Sequence, residues 1–248
     1  MSLTVTILGC SGMYATATRA ASGYLLELND KRIWLDAGSG TWRNLLSLHD
    51  YVNIDGVILS HRHPDHTSDV FQAFHARHYG GRDPLPPIPL WGPEDTLHRI
   101  AAFSYDFDNS FDLREVKPDE KHDIGGASFE FFGMAHICPT VGVRITDSGK
   151  VFAYSADSGP AADFDTLARD ADVFVCEATY QDADELWEGH MSGTQAGQAA
   201  ASAGAQRLLL THLTPGYDDE VTLAQARNAA GGVDVELAHD MMRIELSA

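Results

Sequence analysis

The 248-residue sequence predicts an α/β fold, and two patterns point to it. Short apolar runs bounded by turn residues alternate with longer segments of helical periodicity, as expected for strands connected through helices. Several of these apolar runs end in a histidine or an aspartate. Loops that follow strands are where α/β sheets place their sites. We therefore expect a polar site at one set of strand ends.

The first half of the chain begins with three predicted strands. The apolar run at 3–9 is the first strand, and Asn29-Asp30 joins the strands 22–28 and 32–36 in a hairpin. A glycine-rich turn then leads into a helix that ends near residue 49. The further predictions are a strand at 54–60, helices at 67–79 and 94–103, and an acidic, aromatic loop at 106–112.

The second half repeats the alternation of strands and helices. A strand at 128–134 is followed by a hairpin of strands 141–146 and 151–154. An Ala/Gly/Gln-rich helix occupies 192–203, directly after His190. The remaining predictions are helices at 163–170 and 221–229 and strands at 173–176, 208–210, 233–237 and 242–246.

Composition limits the class of protein. The content of 44% hydrophobic and 21% charged residues is that of a globular protein, and we expect residues 1–248 to form one domain. No apolar run approaches the roughly 20 residues that span a bilayer, so we expect no membrane partner. The N-terminus has no basic leader, which favours a cytoplasmic location. The three cysteines, Cys10, Cys138 and Cys176, are expected to be reduced thiols.

The net charge of −19 argues against a long nucleic acid as partner. Such a surface repels phosphate backbones at long range, which is the reverse of the basic patch of a nucleic-acid-binding protein. A small anion drawn to a local dication remains compatible with this charge.

The densest cluster of ligand-type side chains is the segment 61–66, His-Arg-His-Pro-Asp-His. Alternate residues leaving a strand point the same way, so His61 and His63 can hold one ion from one side. Asp65 and His66, at the expected start of the next helix, can face a second ion. Three imidazoles and one carboxylate within six residues therefore predict a metal site.

Three other predicted strands or hairpins end in ligand-type residues. They supply His136, Asp157 and His212. The donors fall into two sets that share Asp157, and such donors suit two borderline divalent ions, zinc first, with manganese or iron also compatible. Because these donors are spread along the chain from His61 to His212, their spacing alone does not identify them as one site. The sets are His61, His63, His136 and Asp157, and Asp65, His66, Asp157 and His212.

Three further residues have open roles. His75 and His78 lie three residues apart on a predicted helix and share a face, so they either line the mouth of the site or are structural. Cys138 follows His136 by two residues, and we expect it not to be a ligand.

The ligand pattern resembles the metallo-β-lactamase fold superfamily, an αββα sandwich of two mixed β-sheets flanked by helices. Within it, the ribonuclease Z-like phosphodiesterase branch is most similar. The match lies in the segments 9–12, 22–26, 153–159, 189–196 and 208–215, so the resemblance covers nearly the whole chain. It implies a single hydrolase domain, a pair of divalent ions held by the two sets, and Asp65 as the residue that orients the attacking water.

The resemblance also implies a role for His190. In the branch, the matching histidine neutralises the phosphate or protonates the leaving oxygen, and a capping role is the alternative. The segment 138–156, between His136 and Asp157, is too short for the arm that grips transfer RNA in ribonuclease Z. The compact, armless cyclic-nucleotide phosphodiesterases look most similar. We therefore expect a small cyclic phosphodiester as substrate, with 3′,5′-cyclic AMP the best single candidate, and a homodimer is common in the family.

Three alternatives stay open at this point. The first is a ribonuclease Z-like nuclease acting on short RNA. The second is a lactone, thioester or lactam hydrolase of the same fold, in which His190 would be idle. The third is a non-catalytic ligand-binding module, which the intact ligand set disfavours.

Overall fold

The computed structural model describes residues 2–104 and 106–247. Within these ranges the chain forms two seven-stranded mixed sheets packed face to face, with helices on both outer surfaces. The expected αββα sandwich is confirmed. None of the helices in the described ranges combines the length and apolarity needed to span a bilayer.

The strands and helices are numbered in chain order. The strands of the described chain are β1 (Ser2–Gly9), β2 (Gly23–Leu28), β3 (Lys31–Ala37), β4 (Gly56–Ile58), β5 (Ile88–Gly92), β6 (Phe111–Glu115), β7 (Lys121–Ile124), β8 (Ala127–Gly133), β9 (Val141–Asp147), β10 (Lys150–Tyr154), β11 (Val173–Glu177), β12 (Arg207–Thr211), β13 (Asp234–Leu237) and β14 (Arg243–Ser247). The helices are α1 (Thr41–Leu46), α2 (Pro64–Thr67), α3 (Val70–Tyr79), α4 (Glu94–Ala101), α5 (Phe164–Leu167), α6 (Gly193–Ala203) and α7 (Asp219–Ala229).

Each sheet is half antiparallel and half parallel. The first has the order β14-β1-β2-β3-β4-β5-β6, and its strands from β3 to β6 run parallel. The second has the order β13-β12-β11-β10-β9-β8-β7, and its strands from β10 to β13 run parallel. Parallel neighbours need long crossovers, and helices fill most of these connections.

The strand period of two separates the hydrophobic layers. In β2, Tyr24 and Leu26 face the second sheet, where they join Phe129 and Phe131 of β8 in one buried cluster. Leu25, between them, belongs instead to the cluster under the helices of the first sheet. The alternation thus builds a core between the sheets and a separate core beneath the helices.

The observed secondary structure differs from the predicted one at several places. The loop predicted at 106–112 contains the start of β6, and neither β5 nor β7 was predicted as a strand. β6 and β7 are edge strands with several exposed or half-exposed residues, so they lack an apolar run. The helix predicted at 163–170 is only the four-residue α5. A further difference concerns the segment before α3.

The helix predicted at 67–79 is interrupted before α3. The backbone N–H of Asp69 donates to the carbonyl of Ala37 at 2.8 Å, outside the helical pattern, and this bond ties the chain to the end of β3. The carboxylate of Asp69 also accepts the N–H of Trp42 at 2.8 Å. The short helix α2, which carries two candidate ligands, is therefore set by contacts with β3 and α1 rather than by continuation into α3.

Candidate metal centre

The seven residues predicted as metal ligands converge at one edge of the sandwich. His61 and His63 follow β4, and Asp65 and His66 lie on the first turn of α2. The loops after β8, β10 and β12 contribute one residue each, His136, Asp157 and His212. Each of these segments leaves the end of a strand on the same side, which is why residues far apart in sequence meet.

The first group of donors contains three histidines and one aspartate. The ligand-type atoms of His61, His63, His136 and Asp157 all lie within 4.8 Å of one another. Nδ1 of His63 is 3.0 Å from Nε2 of His61 and 3.2 Å from Nε2 of His136. Oδ2 of Asp157 lies 3.6 Å from Nε2 of His61. The geometry is that of donors aimed at a common centre.

The second group shares Asp157 with the first. It adds Asp65, His66 and His212, again with all donor atoms within 4.8 Å. Nε2 of His212 lies 3.2 Å from Oδ2 of Asp65 and 3.4 Å from Oδ2 of Asp157, and Nε2 of His66 lies 3.1 Å from Oδ1 of Asp157. A carboxylate with donors of both groups around it can bridge two cations.

Asp36 orients one histidine of each group. Its carboxylate accepts from Nδ1 of His66 at 2.8 Å, from the hydroxyl of Ser60 at 2.8 Å and from the hydroxyl of Tyr154 at 2.8 Å. Because the Ser60 hydroxyl donates to Asp36, its oxygen is left to accept from Nδ1 of His61, 3.0 Å away. Both imidazoles therefore carry a proton on Nδ1, and Nε2 points to the centre.

Two other histidines are oriented in the same way. Nδ1 of His136 donates to the carbonyl of Gly189 at 2.9 Å. Nδ1 of His212 donates at 2.8 Å to the hydroxyl of Thr179, which in turn donates to Glu177 at 2.6 Å. Both present Nε2 to the centre. A partner on the outer nitrogen sets the tautomer of a metal-ligating histidine.

His63 has the opposite orientation. Its Nδ1 faces the other histidines of the first group, and its Nε2 lies 3.9 Å from the thiol sulfur of Cys138. Cys138 is a buried free thiol and lies outside both groups. Each of the other four imidazoles of the two groups has an oxygen acceptor at the nitrogen that points away from the centre. For His63 the Cys138 thiol lies in that place.

The buried donors lack the partners that they would need without a cation. Nε2 of His66 and Oδ1 of Asp157 are both buried, and apart from each other, 3.1 Å away, neither has a hydrogen-bond partner among the described residues. Asp65 and Asp157 form ion pairs with histidines only, and no lysine or arginine of the described chain pairs with either. Imidazole and carboxylate donors of this kind fit a divalent cation, so the residues are positioned for metal binding.

Protons compete for the same donors. Burial opposes the charged form of His212, but the carboxylates of Asp157 and Asp65 outweigh it and raise its pKa to about 9. For His61 burial prevails, and it lowers the pKa well below the ordinary value of 6.5. A cation that binds here must displace protons from the second group, since a ligating imidazole is neutral.

Backbone strain is concentrated at the same strand ends. Asp36, Ala156 and His212 have φ values of 57°, 53° and 54°, in the left-handed region that non-glycine residues seldom adopt. Asp36 is the last residue but one of β3, His212 follows β12, and Ala156 precedes Asp157. The surrounding hydrogen bonds and packing hold these turns, and in this way the carboxylates and His212 are aimed inward.

His190 lies beside the second group, outside both four-residue sets. Its ring stacks on that of His212, with centroids 5.3 Å apart and planes at 20°. Nδ1 of His190 donates to Oε1 of the fully buried Glu177 at 2.8 Å. Glu177 also accepts the backbone N–H of Ser158 at 2.7 Å. The imidazole is thus held in place, and its Nε2 is available to a ligand.

The sequence prediction missed the supporting residues Asp36, Glu177 and Thr179. The ligands were predicted because a polar, ligand-type residue follows a buried strand. Asp36 and Glu177 lie at the ends of buried strands in the same way, so this sequence feature was present for both. His75 and His78 belong to neither donor group of the described chain. They lie on α3, packed against Phe74 and Tyr79.

Comparisons with known proteins identify the family. A family model described as a beta-lactamase superfamily domain matches residues 31–213, well over half of the chain. Protein ML1173 of Mycobacterium leprae is 37% identical over 90% of this chain and 82% of its own length. A ribonuclease Z of Kineococcus radiotolerans is 29% identical over 95% of this chain and 92% of its own length.

A Bacillus subtilis protein links the sequence and structure comparisons. The probable metallo-hydrolase YhfI is 32% identical over 84% of this chain and 86% of its own length. The crystal structure of YhfI matches with a TM-score of 0.89 at 28% identity, over 98% of this chain and 99% of that one. The chain belongs to the metallo-β-lactamase superfamily, in the branch that includes ribonuclease Z, and is a metal-dependent hydrolase.

Proposed function

We propose that this hydrolase is a dinuclear phosphodiesterase acting on small phosphodiesters, with 3′,5′-cyclic AMP as the first substrate to test. The observation that carries the proposal is His190. It is fixed by Glu177 beside the second donor group, yet neither four-residue group needs it. Cleavage of a phosphodiester releases an alkoxide, which leaves poorly unless a nearby acid protonates it.

The two donor groups would hold two divalent ions, with zinc the first candidate and manganese or iron the alternatives. When bound, such ions polarise the phosphoryl group, acidify water and stabilise the charge that develops on oxygen. His61, His63 and His136 would hold one ion, and Asp65, His66 and His212 the other, with Asp157 between them.

Asp65 and His190 are the residues proposed to act on protons. The side chain of Asp65 is 10% exposed, in contrast to the 3% of Asp157, so Asp65 faces the opening of the site. Burial raises the pKa of Asp65, but His66 and His212 outweigh it and hold the pKa well below the ordinary range. An ionised Asp65 can accept a hydrogen bond from the attacking water. His190 can deliver a proton from Nε2 to the leaving oxygen.

Charge and shape support a small substrate. The net charge of −19 disfavours a long phosphate backbone. The segment between His136 and Asp157 is taken up by the β9–β10 hairpin, which turns through Ser148 and Gly149 with φ values of 50° and 81°. Such a turn is the tight two-residue type, so no protruding arm is present there to grip a longer substrate.

The test is hydrolysis by protein loaded with each candidate metal, on cyclic AMP, bis-p-nitrophenyl phosphate and a lactone. We expect turnover of the two phosphodiesters and none of the lactone. Replacing His190 by alanine should leave the metal content unchanged and lower kcat by about 10²–10⁴-fold. His75→Ala, at an exposed histidine on α3, is the control and should keep wild-type kcat. Wild-type turnover in His190→Ala would remove the basis of the proposal.

A second candidate is cleavage of short RNA, which the relative named ribonuclease Z favours. Both candidates are phosphodiester cleavage and would use the same groups. The two candidates differ in how kcat/KM depends on the length of the substrate. An increase in kcat/KM from a dinucleotide to longer oligonucleotides would favour RNA, whereas a decline would favour the small substrate.

A further inference from the structure

A cavity of about 560 Å³ lies next to the first donor group. His136, whose imidazole belongs to the first donor group, is one of the residues of its wall. The other walls include Met134, Ile137, Pro160 and Trp187. The volume is within the range of about 300–1,000 Å³ typical of small-molecule sites. A substrate whose phosphate reaches the donors can therefore extend its other end into this cavity.

Trp187 is the main aromatic surface of the cavity. Its ring centroid lies 5.8 Å from that of His136 and 5.4 Å from that of His190. The benzene half of the indole covers Gly189, where any Cβ would overlap the ring carbons. Glycine at 189 thus makes room for the indole, while Trp187 stays 42% exposed. An exposed indole braced in this way can offer a flat surface to a ligand.

The charge of the cavity indicates what it accepts. Its described lining residues include no lysine or arginine, and Glu188 adds a carboxylate. A second phosphate would be repelled there, whereas an uncharged ring with N–H groups could donate to Glu188 and stack on the indole. The lining therefore favours a nucleobase over a diphosphate or an extended nucleic-acid backbone.

We propose that Trp187 is the stacking platform for the base of a nucleotide phosphodiester and sets the preference for base-bearing substrates. This inference rests on the proposed function, because it assigns the non-reacting half of the same substrate. Stacking needs only a ring face, so it selects nucleotides over simple alkyl phosphodiesters. It leaves discrimination between bases to contacts such as that with Glu188.

Binding tests the platform without hydrolysis. Adenosine has no phosphorus and cannot be cleaved, so metal-free protein can be titrated with it while tryptophan fluorescence is followed. Trp34 and Trp91 are buried and Trp42 is half-buried, so the quenching that Trp187→Leu abolishes reports on Trp187. We expect adenosine to quench wild-type fluorescence and D-ribose not to. Equal quenching by adenosine in wild type and Trp187→Leu would overturn the proposal.

Kinetics then separate the platform from the proposed function. On cyclic AMP, Trp187→Leu should raise KM about tenfold with kcat nearly unchanged, and Trp187→Phe should restore most of the loss. On the abasic ribose 3′,5′-cyclic phosphate, wild type and Trp187→Leu should behave alike. Leu186→Ala, at the exposed neighbouring residue, is the matched control.

The two proposals fail in different ways. If cyclic AMP is hydrolysed and Trp187→Leu leaves its KM unchanged, the proposal that Trp187 stacks on the base is wrong, and the proposed phosphodiesterase activity is retained. If no phosphodiester is hydrolysed but adenosine quenches Trp187, the proposed reaction is wrong and the platform stands.

Discussion

Asp36 is the residue on which the orientation of both donor groups depends. It is fully buried, and it accepts from the backbone N–H of Ser60 at 2.7 Å as well as from the three side chains described above. A carboxylate that only accepts is suited to four donors. An amide in its place would turn one of its own donors toward another donor.

We therefore expect Asp36→Asn to lose metal affinity and stability together. The metal affinity should fall about 10–100-fold because His61 and His66 lose their orientation. The free energy of unfolding should fall by about 1–3 kcal/mol because buried donors lose an acceptor. Metal titration and denaturant unfolding measure the two effects.

Asp55→Asn is the matched control for this variant. Its carboxylate accepts from the N–H of Arg32 at 2.9 Å and from Nζ of Lys31 at 3.0 Å, and it belongs to neither donor group. It should lower stability slightly and leave metal affinity unchanged. Wild-type metal affinity in Asp36→Asn would show that the ligands need no support from Asp36.

At the level of elements, the approach of α6 to α7 depends on glycine. A Cβ at Gly197 would overlap the carbonyl oxygen of Ala226, and Gly193 faces Thr222 in the same way. The Ala/Gly composition of α6, visible in the sequence, thus allows close packing of two helices. Ser192 and Gln195 form a capping box at the start of α6, two residues after His190.

Gly197→Ala should destabilise the protein despite the better helix propensity of alanine. The overlap with α7 costs about 1–3 kcal/mol, whereas the gain in propensity is at most about 1 kcal/mol. Thermal unfolding should show a lower melting temperature. Gln198→Ala, on the exposed face of the same helix, should change stability by less than about 0.5 kcal/mol. A more stable Gly197→Ala protein would mean that α7 can shift away without cost.

For the whole molecule, the metal site should couple to folding. The donors come from both sheets, so a bound cation joins the ends of strands that are distant in sequence. At a concentration 100 times its Kd, an ion that binds only the folded state adds about 2.7 kcal/mol per site. We expect a chelator to lower the melting temperature and zinc to restore it.

Two aspartate variants distinguish stabilisation by an ion bound to the donor groups from a general effect of metal on the protein. Asp157→Asn removes the carboxylate common to both donor groups and should abolish the metal-dependent rise in melting temperature. Asp172→Asn, near the other end of β10, where the carboxylate accepts from Val151 at 2.8 Å, should keep that rise. An equal rise in wild type and Asp157→Asn would place the stabilising ion elsewhere.

Most of the strands and the candidate metal ligands of this protein could be predicted from its amino-acid sequence. Apolar runs show where strands lie because burial on both faces demands apolar side chains, and histidine at their ends indicates metal. The polar edge strands β6 and β7 could not be predicted, since an edge needs few apolar residues. The one-domain expectation for residues 1–248 stays a prediction.

The donor residues and their chemistry could thus be predicted from the sequence, because they depend only on residue type and on position at the end of a strand. The distances that place the donors in two groups sharing Asp157 arise from the packing of two sheets. The support from Asp36, Glu177 and Thr179, and the cavity under Trp187, depend on contacts between segments as much as 118 residues apart. Hydrogen bonds and packing across such separations exist only in the folded chain, and no pattern along the sequence encodes them directly.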